Sequence, residues 1–199
     1  MNFSHWLVII SIFISLGWAF AYIRDTLAGK TKPNRISWWM WALAPLIATA
    51  AAIYSHADIW ATIRVFLAWF VPLLVVIASF VNKQSYWKLT IFDGICWAFS
   101  ILALIIWAMI DAPKVAILLT IIGDAFAALP TLYKAWKYPE TETWLTYGLS
   151  LLSVIIITPS IPVWNIENSG FQIYLLIVNT LLLVAVYRKR IFILAKYRK

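Results

Sequence analysis

The stretch Pro113–Tyr133, PKVAILLTIIGDAFAALPTLY, decides the class of fold. It carries two charged residues, Lys114 near its start and Asp124 near its middle, and most of its other side chains are apolar. About 20 such residues are enough to cross the hydrocarbon core of a bilayer as an α-helix. The stretch therefore predicts a transmembrane helix.

The rest of the chain has the same character. Hydrophobic residues make up 64% of the sequence and charged residues 12%, and the mean hydropathy is +0.87. A soluble domain is about half apolar and about a quarter charged. So few charges could not cover so much apolar surface in water. We therefore expect an all-α integral membrane protein, placed in a bacterial inner (plasma) membrane.

Further apolar runs predict six more spans, and turn residues or charges separate them. The seven predicted spans cover residues 5–23, 36–54, 60–81, 88–109, 113–133, 143–159 and 170–187. The chain length of 199 residues leaves room for little else.

The basic residues predict the orientation of these spans. Fourteen of the sixteen fall on one side: Arg24, Lys30, Lys32, Arg35, Lys83, Lys88, Lys134, Lys137, Arg188, Lys189, Arg190, Lys196, Arg198 and Lys199. Because cytoplasmic loops are enriched in Lys and Arg, we expect the N-terminus outside and the C-terminus in the cytoplasm. The basic tail, residues 188–199, is then expected to contact anionic lipid headgroups rather than nucleic acid.

An internal repeat appears when the chain is shifted by 106 residues. Gly17–Ala21, GWAFA, aligns with Gly123–Ala127, GDAFA, and Pro33 aligns with Pro139. Spans 1, 2 and 3 then match spans 5, 6 and 7. This predicts two parallel three-helix repeats, residues 1–82 and 112–187, joined by a linker helix in 83–111 (a 3+1+3 arrangement). Chance similarity between apolar segments is the alternative.

One segment strengthens this prediction. Leu129–Lys137, LPTLYKAWK, followed by Glu140–Glu142, ETE, resembles the motif of the SWEET and PQ-loop superfamily of seven-helix small-solute transporters. Thr131 stands where that family has glutamine, and Arg24 where its first repeat has proline, so the chain is identified as a divergent member. The resemblance implies alternating access, with Pro130 and Thr131 at a hinge or motif position.

Asp124 is the most informative single residue. An ionised carboxylate in the middle of a span is unfavourable unless it faces a cavity, finds a cation or becomes protonated. Asp124 is therefore a candidate proton or cation site coupled to solute movement. The alternative is a carboxylate that hydrogen-bonds a neighbouring helix for packing.

Polar side chains in spans 2, 6 and 7 are candidates for solute binding. Thr146, Tyr147 and Ser150 belong to one polar face of span 6 and either line a path or serve helix packing. Trp41 lies on the equivalent face of span 2. Asn179, in mid-span 7, is similar to the substrate-contacting asparagine of SWEET-type transporters, with an interhelical hydrogen bond as the alternative.

Two prolines within spans, Pro45 and Pro72, are candidate hinges or static kinks, because each removes a backbone hydrogen bond.

The sequence contains no motif typical of the other functions that we considered. Span 7 has no lysine for retinal, no Cys, His and carboxylate cluster has metal-ligand spacing, and no nucleophile–base set or phosphate-binding loop appears. We therefore expect no enzyme, no cofactor and no metal.

The sequence as a whole predicts a transporter or facilitator of a small polar solute such as a sugar or amino acid, with proton coupling open. A non-transporting seven-helix receptor or a structural subunit of a membrane complex is the alternative. Homo-oligomer formation also stays open.

Overall fold

A computed structural model describes residues 3–54, 56, 59–110, 112–161 and 163–197. Within these residues the chain is helical and has no strand, which confirms the all-α class. Its α-helices are Phe3–Leu27 (α1), Arg35–Tyr54 (α2), Ile59–Val81 (α3), Ile91–Met109 (α4), Pro113–Lys137 (α5), Trp144–Ile157 (α6) and Ile166–Tyr197 (α7). Short 3-10 turns lie at Lys83–Ser85, Pro139–Thr141 and Thr158–Ser160. Each predicted span falls on one of these helices.

Five of the described helices, α1, α2, α4, α5 and α7, are long and apolar enough to cross a membrane. The apolar parts of α3 and α6 are shorter, at Val65–Val81 and Trp144–Ser160. A straight crossing needs about 20 residues. The helix α6 has 14 residues and is shorter than this, whereas α3 as a whole has 23. Seven crossings therefore stay a prediction, and so do the repeat boundaries and the orientation.

The outer surface of the bundle is apolar. Phe13 and Phe20 on α1 are 70% and 69% exposed, and Ile91 and Met109 at the two ends of α4 are 85% and 81% exposed. Soluble proteins rarely show large apolar side chains in such continuous bands. This surface, with the five long apolar helices, is typical of an integral membrane protein.

The helix ends follow local capping chemistry. Span 4 was expected from residue 88, but α4 begins at Ile91 because Thr90 caps it. The Asp93 Oδ2 accepts hydrogen bonds from the Thr90 amide at 2.6 Å and from its hydroxyl at 2.8 Å. The Thr90 side chain in turn accepts from the Asp93 amide, which completes a capping box.

The last helix is longer than its predicted span. It begins at Ile166 and continues to Tyr197, so most of the segment expected as a basic tail is a continuation of α7. Arg188 donates to the Trp136 carbonyl and lies 4.7 Å from the centroid of that indole ring. The side chains of residues 189–199 lie outside the described part, so the expected headgroup contact stays a prediction.

The bundle contains two three-helix groups, with α3 at the centre of one and α7 at the centre of the other. The helix α3 packs against α1 and α2, and α7 packs against α5 and α6. Two further contacts, α1 with α6 and α2 with α5, join these groups. The helix α4 packs mainly on α5 and also touches α2.

Three loops meet at one end of the bundle, which we call the basic end: residues 28–34, 82–90 and 138–143. The Lys32 amide donates to the Thr141 carbonyl at 3.0 Å, and the Asn34 side chain donates to Asp93 at 2.7 Å. The Asn82 amide group donates to the Leu27 carbonyl at 2.8 Å. The first of these contacts joins two of the loops, and the other two tie loop residues to the adjacent ends of α4 and α1.

Candidate functional site

A cavity of about 320 Å³ lies at the centre of the bundle, and all the helices except α4 contribute to its wall. Polar side chains enter it from several of these helices. The predicted residues that line it are Trp41, Pro45, Pro72, Asp124, Thr146, Tyr147, Ser150 and Asn179. The structure therefore brings together residues that the sequence singled out for unrelated reasons.

Asp124 lies in the wall of this cavity, near the middle of α5. Its Oδ2 accepts a hydrogen bond from the Tyr174 hydroxyl on α7 at 2.6 Å. The side chain of Trp41 on α2 lies beside the carboxyl group. Asp124 thus links α5 to α7, lies beside α2 and faces the cavity, so it serves packing and remains accessible from the cavity.

Three indole rings form an aromatic wall. Trp18 on α1 lies 6.4 Å from Trp38 on α2, measured between ring centroids, and Trp38 lies 5.1 Å from Trp41 in an edge-to-face arrangement. Tyr22 packs 4.7 Å from Trp38 on the side of the basic end. Such tilted and edge-to-face pairs are the arrangements that aromatic rings favour.

The facing wall, from α1 and α6, carries hydroxyl groups. The Ser153 hydroxyl donates to the Ser11 carbonyl at 3.1 Å, and its oxygen lies 3.1 Å from the Ser15 hydroxyl. Thr146 differs from these serines: its Oγ1 is buried and has no hydrogen-bond partner among the described residues. A buried hydroxyl without a partner is unfavourable, so this oxygen is available to a ligand or to water.

Asn179 and Gln172 enter the cavity from α7. The Asn179 amide donates to the Leu175 carbonyl of its own helix at 2.8 Å, rather than to another helix. The Gln172 amide donates to the Val154 carbonyl of α6 at 2.8 Å. Of the two amides, Gln172 makes the interhelical bond and Asn179 keeps its side chain in the cavity wall.

The hinge and motif candidates separate into two groups. Pro45 and Pro72 line the cavity. Pro130 and Thr131 lie outside its wall and are fully buried in the last turns of α5, towards the basic end. The Thr131 Oγ1 has no hydrogen-bond partner within the described residues.

Sequence reasoning missed a buried network between the cavity and the basic end. Lys134 and Glu142 form an ion pair, and both side chains are 0% exposed. The Glu142 Oε2 accepts hydrogen bonds from the hydroxyls of Tyr22 and Tyr147, each at 2.9 Å. The Lys134 ammonium also donates to the Lys32 carbonyl. We call these five residues the buried ion-pair network.

The sequence contained part of the information needed to predict this network. Lys134 and Glu142 both belong to the segment that carried the family resemblance, but charges beside a predicted loop are ordinarily solvated. Tyr147 was predicted as a pocket residue. Its ring lines the cavity, while its hydroxyl belongs to the network. On this side the cavity therefore ends at fully buried residues.

A second, mostly apolar cavity of about 550 Å³ lies between α2, α3, α4, α5 and α7. It shares Asp124, Pro45 and Gln172 with the wall of the first cavity. Ser100 of α4 lines it and donates to the Gly123 carbonyl at 2.7 Å, which ties α4 to α5.

Among the residues the structure describes, no group of three His, Cys, Asp or Glu side chains is placed to hold a metal ion. Comparison of the chain with protein-family models, with curated proteins and with solved structures gave no match. Fold and site together therefore define a class: an all-helical protein of the integral membrane type with a central cavity whose wall includes several polar side chains.

Proposed function

We propose that the protein is a transporter or facilitator of a small polar solute that works by alternating access between two halves of the bundle. The observation that carries this proposal is the central cavity, where Asp124, Asn179 and Thr146 share one space. Pockets of about 300 Å³ or more are of the size that binds small molecules. A receptor or packing subunit would more naturally have a dry, filled centre.

The packing of the helices supports a 3+1+3 arrangement of seven spans. If α1, α2 and α3 are exchanged for α5, α6 and α7, the contact of α1 with α3 becomes that of α5 with α7. The contact of α2 with α3 becomes that of α6 with α7, and α1 with α6 becomes α5 with α2. Two related three-helix repeats would give this exchange of contacts, and with the 106-residue sequence repeat it supports the proposed parallel arrangement. Local bilayer thinning accommodates the shorter α6.

The proposed orientation keeps the basic end in the cytoplasm of a bacterial cell. The cavity is closed on this side by Trp38, Tyr22 and the buried ion-pair network. Transport requires the halves to rock so that this closure opens. Pro45 and Pro72, at the cavity wall, are the proposed bending points.

Asp124 is the proposed coupling residue. It faces the cavity, accepts a hydrogen bond from Tyr174 and lies beside Trp41, so a cation or proton reaching it would change its contacts with α2 and α7. Of these two helices, α2 belongs to the other half of the bundle and must move relative to α5.

The test is uptake of labelled sugars, amino acids and amines into liposomes containing the full chain, with and without an imposed pH gradient. We expect at least one solute to enter faster than into empty liposomes. Asp124→Asn should lose any dependence on the gradient, and Glu140→Gln, a charge loss at an exposed position, should keep it. If no solute stabilises the purified protein against heat and none enters the liposomes, the proposal fails.

A further inference from the structure

One side chain carries the charge of the central cavity. Asp124 is the single Asp, Glu, Lys or Arg among its described lining residues. Tyr174, which donates a hydrogen bond to it, and Trp41, which lies beside it, are both neutral, and the ion pairs of the described residues involve other carboxylates. A carboxylate in a membrane interior is unfavourable without a cation, a proton or water. A positively charged solute would supply the missing counter-charge.

Among the described residues, no Arg or Lys side chain lies over the rings of the aromatic wall. The Arg and Lys side chains that lie over aromatic rings in the described residues occupy Phe80, Tyr86, Trp87, Tyr133, Trp136 and Tyr138. The rings of Trp18, Trp38 and Trp41 have no such contact there and line the cavity instead. Tryptophan is the side chain whose ring face attracts cations most strongly.

Trp41 connects these two features. Its side chain lies beside Asp124 in the same cavity wall, and its ring packs edge-to-face on Trp38. The carboxylate and the indole rings are therefore neighbours in one space. An ammonium group placed there would contact a negative charge and an aromatic face together, which is how proteins recognise alkylated amines.

The facing wall indicates a second feature of the solute. Thr146 is 2% exposed, lines the cavity, and its hydroxyl has no partner among the described residues. Ser150 lines the same wall. A short polar group on the solute, such as a hydroxyl, would satisfy the Thr146 oxygen.

We propose that the central cavity binds a small organic cation, an amine or quaternary ammonium compound with a short polar group. Asp124 and the three tryptophan rings hold the positive charge, and Thr146 binds the polar group. The cavity volume of about 320 Å³ lies at the lower end of the range for ligand pockets, which suits a small solute. This inference rests on the proposed transport function and names its substrate class.

The test compares choline with its neutral isostere 3,3-dimethylbutan-1-ol, in which carbon replaces the charged nitrogen. Uptake into liposomes containing the full chain and the thermal stability of the purified protein are measured for both, with glucose as a neutral sugar. We expect choline to enter and to stabilise the protein, and the isostere to bind about tenfold more weakly or worse, because it lacks the charge that Asp124 and the rings recognise.

Substitutions test whether choline binds at Asp124 and the tryptophan rings. Asp124→Asn and Trp41→Leu should each weaken choline binding by about tenfold or more. Trp97→Leu is the control, because it removes the same ring from the exposed face of α4, and it should leave choline binding unchanged. If Asp124→Asn does not fold, the choline–isostere pair and Trp41→Leu still decide the matter.

The outcomes separate this inference from the proposed function. If glucose or the isostere binds and enters as well as choline, or if Trp41→Leu binds choline normally, the cation site is wrong while transport stands. If no solute binds or enters, both the cation site and the transport function are wrong.

Discussion

Replacing Glu142 with glutamine should destabilise the protein strongly. Lys134 and Glu142 are both 0% exposed and paired with each other, and the only other described contact of the ammonium with an oxygen is the Lys32 carbonyl. Glutamine keeps the size of the side chain and an oxygen for the hydroxyls of Tyr22 and Tyr147. It removes only the negative charge, so a buried ammonium is left without its counter-ion.

The expected loss is about 3 to 5 kcal/mol of unfolding free energy, the usual cost of removing one partner from a buried ion pair. This corresponds to about a hundredfold or more in the unfolding equilibrium. The double variant Lys134→Met/Glu142→Gln should lose less than the sum of the single variants, by about 1 to 3 kcal/mol, because it leaves no unpaired charge.

The assay is denaturant unfolding of the purified protein in detergent micelles, followed by far-ultraviolet circular dichroism. Glu140→Gln, two residues away and exposed, is the matched control and should change stability by less than about 1 kcal/mol. A loss of under about 1 kcal/mol in Glu142→Gln, or strictly additive single and double variants, would refute the buried pair as described.

Two further predictions use the same unfolding assay. Tyr174→Phe removes the hydroxyl that donates to Asp124 at 2.6 Å and should lower stability by about 1.5 to 3 kcal/mol; an unchanged value would contradict that bond. Gly29→Ala should lower stability by about 1 to 2 kcal/mol, because Gly29 has a φ of +75° and an added Cβ would lie 3.1 Å from the Gln84 Oε1. Gly17→Ala, in α1 with open space around the position, should be neutral or slightly stabilising, and equal losses in the two glycine variants would count against this reasoning.

The sequence was sufficient for the helices because their signal is local. Apolar runs of a given length predict helices wherever they occur, and each predicted span falls on one. The predicted helix ends were less accurate where a single capping side chain determines the boundary. Thr90 and Asp93 form a cap that moves the start of α4 by three residues relative to the span. That Thr-x-x-Asp pattern is readable in the sequence.

The candidate site was predictable to the extent that its residues are unusual in a membrane. Asp124 and Asn179 stand out in apolar surroundings, and both line the central cavity. Glu142 does not stand out, because it lies in a loop. Its contact with Tyr22 joins positions 120 residues apart, and only the packing of α1 on α6 brings them together.

The buried ion-pair network has a consequence for the leakage of ions through the proposed transporter. Its members come from α1, α5, α6 and two loops of the basic end, and the Glu142 carboxyl group touches three of them. Separating these parts would break the contacts together and would require water to reach both charges at once. In the proposed transport cycle the basic end therefore opens in one concerted step. Under the same proposal, smaller thermal fluctuations would leave this end sealed, and the membrane potential would not be dissipated while the cavity is empty.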